Sequence, residues 1–425
     1  MFSEINSKFR NFCFLALGFL MPFSAAAISI FMIFTIISTL IERSSYMKIY
    51  HILHIPLYQS FLLFLLIHLA GFFWLEVDSI NWHKSWMVWM IPILAVSVDR
   101  EIAKKGLYAF VLGMMFAELY VYFNIFSIWK DYLNGMYGDF LLPISHIAYN
   151  PFLAVSIALL LTTLLHGKYQ NFRLVISIIF LITMVVNMFM TGGRAGQVGF
   201  IFIWLAISYF YLRNNKIALF GMLFALIFIL FAAWNYSPVF KTRTLEAVDQ
   251  VTSFEENTNK FSNSNSENSD NSENNLKTSV GNNLKTSVGK RIHFYVHSLK
   301  LVKERPLYGY GTGSFENIYN SYAENSQTQV LKTSNPHSNH LLILVQFGIF
   351  GFLVYLNIFY QQVRSANLMP IGYEFRAVAF VLPLFFILIS FYDSYIWGHH
   401  TQALFAYLTA ILFRPDVYQS IKEPL

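Results

Sequence analysis

The sequence predicts an all-α polytopic membrane protein of about twelve membrane helices, interrupted by one large polar loop between the ninth and the tenth. Three observations carry this. The 425 residues are 56% hydrophobic and 18% aromatic but only 12% charged. Apolar stretches long enough to cross or deeply enter a bilayer recur along the chain, and one polar insertion, 235–336, divides them. Such a composition excludes a soluble globular core. The net charge of +6 does not point to nucleic acid, because the basic residues are scattered through short loops, where they act as topology signals. The single cysteine, Cys13, lies in an apolar segment and excludes an intrachain disulfide or a cysteine-rich metal site.

The apolar stretches fall at 12–22, 24–41, 55–74, 85–98, 106–128, 148–165, 173–190, 196–212, 217–234, 337–360, 374–391 and 399–413. The first two and the fourth are short enough to be broken or re-entrant. Lys8 and Arg10, an apolar run and Ser24-Ala25-Ala26-Ala27 imitate a cleaved signal peptide. The apolar run continues to Ile41, however, which predicts a retained helix pair hinged near Pro22. If the N-terminus is cytoplasmic, the inner loops collect Arg43, Lys48, Arg100, Lys104, Lys105, Lys168, Arg173, Arg213, Lys216, Arg364 and Arg376. The short outer loops hold only Lys84, Lys130 and Arg194, so both termini are expected inside and the insertion outside. The chain thus divides into 1–234 (helices one to nine), 235–336 (outer loop) and 337–425 (three helices and a tail).

Within the insertion, Leu245, Val248 and Val251 give Lys241 to Phe254 a helical rhythm. Residues 255–275 are rich in Asn, Ser and Glu and are expected to be disordered, being too polar to bury a core. The octapeptide 274–281 repeats unchanged as 282–289, which reads as a tolerated duplication. From Lys290 to Arg305, the spacing of Ile292, Tyr295, Val296, Leu299 and Val302 predicts an amphipathic helix on the outer membrane surface, ended by Pro306.

Several residues at these outer boundaries carry chemistry. In Asn335-Pro336-His337-Ser338-Asn339-His340, Asn335 suits an N-cap and Pro336 the first helical position. His337 is then expected in the first turn, where the positive helix end favours a neutral ring able to act as a base. His340, three residues on, would share its face and is the alternative base. Arg194 interrupts Thr191-Gly192-Gly193-Arg194-Ala195-Gly196 on the side where positive charge is scarce. It is either an anchor snorkelling into headgroups or an anion-binding group whose flanking glycines allow close approach. A guanidinium suits a diphosphate because its planar fork binds two oxygens at once. Arg291 is either a solvated residue of the surface helix or a second such cation. Asp393, at the outer end of the eleventh stretch, is an interfacial acid or an orienting group. His293 and His297 have metal-chelating spacing, but no HExxH pattern or third carboxylate accompanies them, so a solvated polar face is expected and no metal site. Gly309, Gly311 and Gly313 lack both the Rossmann and the P-loop spacing and read as tight turns.

Taken in order, Thr191-Gly192-Gly193-Arg194, Lys290-Arg291, Pro306-Leu307-Tyr308-Gly309-Tyr310-Gly311-Thr312-Gly313-Ser314-Phe315 and the His337 segment resemble the O-antigen ligase and polymerase superfamily of bacterial envelope glycosyltransferases. The resemblance runs from Thr191 to about Gly398, and the earlier helices match only in number and hydropathy. It implies an inverting transfer of a preassembled glycan from undecaprenyl diphosphate to a lipid A-core sugar hydroxyl, in lipopolysaccharide biosynthesis. The implied location is the periplasmic face of the inner membrane. It also implies that Arg194 and Arg291 are the essential arginines at the diphosphate. His337 matches the essential base, because the family's histidine lies eleven residues before the glycine of a Leu-rich helix, as His337 does before Gly348. The family has Asn directly after this His; here Ser338 intervenes before Asn339, which keeps His340 open. Asp393 matches an acidic position of O-antigen ligases. No metal or other cofactor is implied, and the partners are the lipid-linked donor, the lipid A-core acceptor and membrane lipids, without nucleic acid. An O-antigen polymerase or a protein O-oligosaccharyltransferase would use the same donor. A glycan-lipid transporter is the rival class, but the paired broken halves common in transporters are not seen.

Overall fold

The computed structural model describes residues 2–74, 82–127, 143–167, 171–264, 287–326, 330–370 and 372–417, and among these every regular element is helical. They form α1 (Phe2–Leu20), α2 (Ala25–Ile41), α3 (Arg43–Ile52), α4 (Pro56–Ala70), α5 (Trp86–Trp89), α6 (Ile91–Val96), α7 (Arg100–Ser127) and α8 (His146–His166). There follow α9 (Asn171–Met190), α10 (Arg194–Leu212), α11 (Lys216–Tyr236), α12 (Pro238–Ser264), α13 (Ser287–Glu304), α14 (Phe315–Asn325), α15 (Asn339–Leu368), α16 (Arg376–Ile389) and α17 (His399–Leu412).

Among the described residues, six helices (α7, α8, α9, α10, α11 and α15) are long and apolar enough to cross a membrane, or seven if α2 and α3, bent by 100°, count as one span. This departs from about twelve expected membrane helices. The stretch 85–98 divides into α5 and α6 at the turn before Ile91-Pro92, while α16 and α17 have 14 residues each. A full crossing needs about 20 residues at 1.5 Å rise. The hinge near Pro22 is present as the turn between α1 and α2, and Cys13 is buried on α1.

α8 lies at the centre, packed against α9 and α10, with Tyr149, Phe152, Leu153 and Val155 fully buried. α11 is its opposite: Phe220, Phe224, Phe228 and Phe231 are all exposed. Leaving a large apolar side chain in water forgoes about 1.5–3 kcal/mol, so a face of four phenylalanines suits lipid. With these apolar helices of spanning length and this lipid-suited face, the chain is a membrane protein.

The outer segments show three differences from expectation. α12 runs on to Ser264, into the Asn/Ser/Glu-rich stretch expected to lack structure. The rest of that stretch and nearly all of the duplicated octapeptide, 265–286, lie outside the described residues, as do Lys130 and Lys168. α13 forms as expected and ends before Pro306, but its protein-facing side is Phe294, His297, Ser298 and Leu301. Phe294 and Leu301 join Phe315 and Tyr319 of α14, Tyr310, and Leu342 and Val345 of α15. Val296 and Leu299, from the expected stripe, remain exposed on another side. The helix is thus apolar on two faces, one used for the protein core and one left outward.

α15 is broken at Gly348, whose φ of 60° and ψ of −160° are not helical. The Gly-rich turn docks into this break. The Tyr310 and Gly311 amides donate to the carbonyls of Val345 and Gln346, while Ile349 and Phe350 donate to those of Pro306 and Leu307. The interrupted helical ladder is thereby re-satisfied from the neighbouring chain. A Cβ on Gly309 or on Gly348 would collide with the opposing backbone, so only glycine permits this approach.

Candidate active site

The segment 335–340 does not fold as predicted. The Asn335 Oδ1 accepts the His337 amide at 2.9 Å, a local turn that uses the side chain before it can cap a helix. Capping passes to Ser338, whose hydroxyl accepts the Leu341 amide, and α15 begins only at Asn339. His337 therefore sits outside the helix, with φ of 54° in the left-handed region. Such a conformation in a non-glycine residue costs about 1–3 kcal/mol and persists only where neighbours hold it. The expected first-turn position of His337, and with it the helix-end effect on its ring, is thus corrected.

The neighbours come from the loop after α16. Ser390 accepts both the Asn339 amide (3.0 Å) and the Ser338 hydroxyl (3.2 Å) through its carbonyl. The Ser394 hydroxyl donates to Asn335 Oδ1 at 2.6 Å, and the Ile396 amide donates to Asn339 Oδ1 at 3.0 Å. From α13, the Tyr295 hydroxyl reaches the carbonyls of both His337 and Phe391. The Phe294 ring stacks on the His337 ring with centroids 6.0 Å apart.

This framework brings three of the predicted residues together. His337 Nδ1 lies 3.3 Å from each carboxylate oxygen of Asp393, and the Arg291 guanidinium is 3.5 Å from the same carboxylate. The Asp393 side chain is only 9% exposed, whereas that of His337 is 32% exposed and accessible. Burial pulls the Asp393 carboxyl up, but the hydrogen bond and charge of His337, the Ser394 amide and the Arg291 charge outweigh it. The carboxyl is held below its ordinary value. With Nδ1–H turned to Asp393, the Nε2 lone pair of His337 is left to accept a proton.

Arg194 begins α10, half-buried, and feels the repelling charges of Arg243 and Arg291 and the attracting charge of Glu246. Arg243, on α12, pairs with Glu246 at 3.6 Å. Of the glycines flanking Arg194, two are filled from within the protein rather than left for a ligand. Gly193 and Gly196 make room for Asn150 on α8, whose Oδ1 accepts the Thr191 hydroxyl at 2.8 Å and whose amide donates to the Gly193 carbonyl. The glycines fix the turn that presents Arg194 beside Arg243, which lies 3.7 Å from where a Gly192 Cβ would stand.

His340 is separated from this cluster. Its Nε2 hydrogen-bonds the Ile387 carbonyl at 3.1 Å, and its ring packs against Phe391 at 4.3 Å, with Phe352 and Tyr355 at 5.8 Å each. It does not share a helix face with His337, because His337 is not in the helix. The His293 and His297 rings lie 4.3 Å apart, tilted to each other, but their nitrogens face the Leu331 amide and the Tyr322 hydroxyl. Among the described residues no group of three His, Cys, Asp or Glu side chains could hold a metal ion.

Sequence reasoning missed Arg243, Tyr295, Asn335 and Ser394 as parts of this cluster. Arg243 was open to the argument that singled out Arg194: it is a basic residue just beyond a membrane helix on the side poor in positive charge. The roles of the other three depend on contacts made across the fold.

Chemically, the arrangement offers a carboxylate-oriented imidazole beside three guanidiniums, of which Arg291 meets Asp393 and Arg243 meets Glu246. Proton abstraction next to an anionic group is the chemistry it suits. Comparison with known proteins agrees in class. A search of curated proteins finds no match. A family model for O-antigen ligases matches residues 179–356, from within α9 through the Arg194 turn, α12, α13 and the first part of α15. Over that region, the chain is similar to the O-antigen ligase family.

Proposed function

We propose that this protein is an inverting glycosyltransferase which transfers a glycan from undecaprenyl diphosphate to a lipid A-core sugar hydroxyl, at the periplasmic face of the inner membrane. The similarity to the O-antigen ligase family supports a ligase or polymerase type of glycosyl transfer with a lipid-linked glycan donor. The observation that carries the finer reading is the convergence of His337, Asp393 and Arg291, with Arg194 and Arg243 alongside.

In the proposed reaction, His337 Nε2 takes the proton of the acceptor hydroxyl as its oxygen attacks the anomeric carbon. The bond from that carbon to the diphosphate oxygen breaks on the opposite face, inverting the configuration. The proton remains on His337, whose positive ring is stabilised by Asp393, until solvent removes it. Negative charge grows on the departing undecaprenyl diphosphate, and Arg194, Arg291 and Arg243 supply the positive charge that stabilises it. The 3.3 Å spacing of His337 and Asp393 is long for a charged hydrogen bond, as is common before substrate closes a site.

The test is reconstitution of the purified protein with a defined lipid-linked glycan and a core-bearing acceptor, with mass analysis of the product. The proposal expects core-linked glycan with inverted linkage. Elongated lipid-linked glycan without core attachment would instead assign a polymerase. In cells, a null strain is expected to accumulate lipid-linked glycan while its lipopolysaccharide carries core alone.

A further inference from the structure

We propose that Tyr295 is a positioning residue for the base, tying the helix that carries Arg291 to the backbone of His337. The inference rests on the role assigned to His337 above and goes beyond it to a residue that never meets substrate.

Tyr295 lies one helical turn after Arg291 on α13. Its hydroxyl is within hydrogen-bonding distance of two carbonyls, that of His337 at 2.9 Å and that of Phe391. A phenol has one proton, so it serves both carbonyls only while protonated, by sharing or alternating. Burial raises the Tyr295 hydroxyl to about 12, with Asp393 and Tyr392 adding to the rise and Arg291 and Ser338 opposing it. It therefore remains a donor at any pH well below that value.

Those two carbonyls hold the two halves of the site. His337 is in the left-handed region and carries the imidazole; Phe391 stands two residues before Asp393, which orients that imidazole. A residue in this conformation relaxes if nothing holds it. Asn335 Oδ1 holds the His337 amide, and Tyr295 holds its carbonyl, so the peptide units on either side of the ring are both fixed. The charged and titratable groups around the base are Asp393, Arg291, Tyr295, Tyr392 and Tyr395. Arg291 and Tyr295 are therefore two contacts of one helix, one to the Asp393 carboxylate and one to the base's backbone. Donor diphosphate that engages Arg291 bears on the same rigid helix that positions His337.

The experiment compares Tyr295→Phe with wild type in the reconstituted assay, using the defined lipid-linked donor. Phenylalanine keeps the ring and removes only the donor to the two carbonyls. The expected result is a turnover lowered about ten-fold with donor KM changed less than about two-fold, at unchanged thermal stability. A double-mutant cycle with Arg291→Lys is expected to be non-additive, because both residues act through one helix. Wild-type turnover in Tyr295→Phe would overturn the proposal. So would a loss matched by lower melting temperature and raised KM, which is what mere structural damage gives. If Tyr295→Phe is too unstable to purify, Tyr295→Trp, which restores a ring N–H donor in a bulkier frame, is measured instead. Recovery of more turnover than Tyr295→Leu supports the proposal, and equal loss in both overturns it. His337→Ala is run alongside: normal turnover there would remove the reading of His337 as base, whereas its collapse with an unaffected Tyr295→Phe removes only the positioning role.

Discussion

Two histidines three residues apart occupy different physical worlds in this protein. His337 stands outside α15 in a left-handed turn, its ring one-third exposed and directed at a buried carboxylate. His340 lies inside the first turn of α15, buried among Phe391, Phe352 and Tyr355 and bonded to a backbone carbonyl. The difference arises at Ser338. Helical spacing places residues three apart on one face only if both are in the helix, and the competition between Asn335 and Ser338 for the cap leaves one histidine on each side of the boundary. On the proposed reading, one position serves chemistry and the other packing.

The largest effect expected from this contrast is at His337 and its partner. His337→Ala is expected to lower turnover about 10²–10⁴-fold with donor binding largely kept. Asp393→Asn should lower it by a smaller factor. The double variant should be no worse than His337→Ala alone, because the two act as a unit. Additive losses, measured in steady-state turnover, would separate Asp393 from the base.

Next in size are the arginines. Arg194→Lys and Arg291→Lys keep charge but lose the bidentate fork, and donor use is expected to fall about ten-fold in each. Arg243→Gln should raise donor KM by a few-fold with less effect on turnover. Donor titrations of the three variants rank the contributions. Wild-type KM and turnover in both lysine variants would place the diphosphate elsewhere.

Much of this was legible beforehand, and the limits have physical causes. Arg194, Arg291, His337 and Asp393 each break a local rule, as a charge or an imidazole at an apolar boundary, and such breaks are visible without a fold. Their assembly is not, since Asp393 meets Arg291 and His337 across long stretches of intervening chain. The helix start was misjudged because two good capping residues lie three apart, and local preference does not decide between them. The glycines at 193 and 196 were noticed for the right reason, close approach, but the occupant is Asn150 of α8. The long hydrophobic runs predicted helices well and spans less well, since hydropathy does not reveal a 100° bend after Ile41 or the division of α5 from α6.

The smallest effects lie away from the reaction. Burial, with His293 and Lys300 adding, lowers His297 from 6.5 to about 4. The neutral ring is therefore favoured in the folded state, and the unfolded state takes up more protons between these values. Stability from this group is complete above about pH 6.5 and is lost as pH falls toward about 4. Protection of the amides at the α13–α14 contact, measured as the exchange rate relative to the intrinsic chemical rate at each pH, should fall between pH 6.5 and pH 5, and His297→Phe should flatten that dependence. A pH-independent protection factor in the wild type would count against the buried neutral ring. His340→Ala is expected to cost about 1–3 kcal/mol of stability, through a cavity and a lost hydrogen bond, with turnover nearly unchanged.

The most direct test sets His337→Ala against His340→Ala, purified at matched levels and assayed with one lipid-linked donor and one core acceptor under saturating conditions. The account predicts collapse of turnover in the first and near-normal turnover in the folded fraction of the second. Near-normal turnover in His337→Ala with collapse in His340→Ala would reverse the assignment, and normal turnover in both would remove histidine from the mechanism.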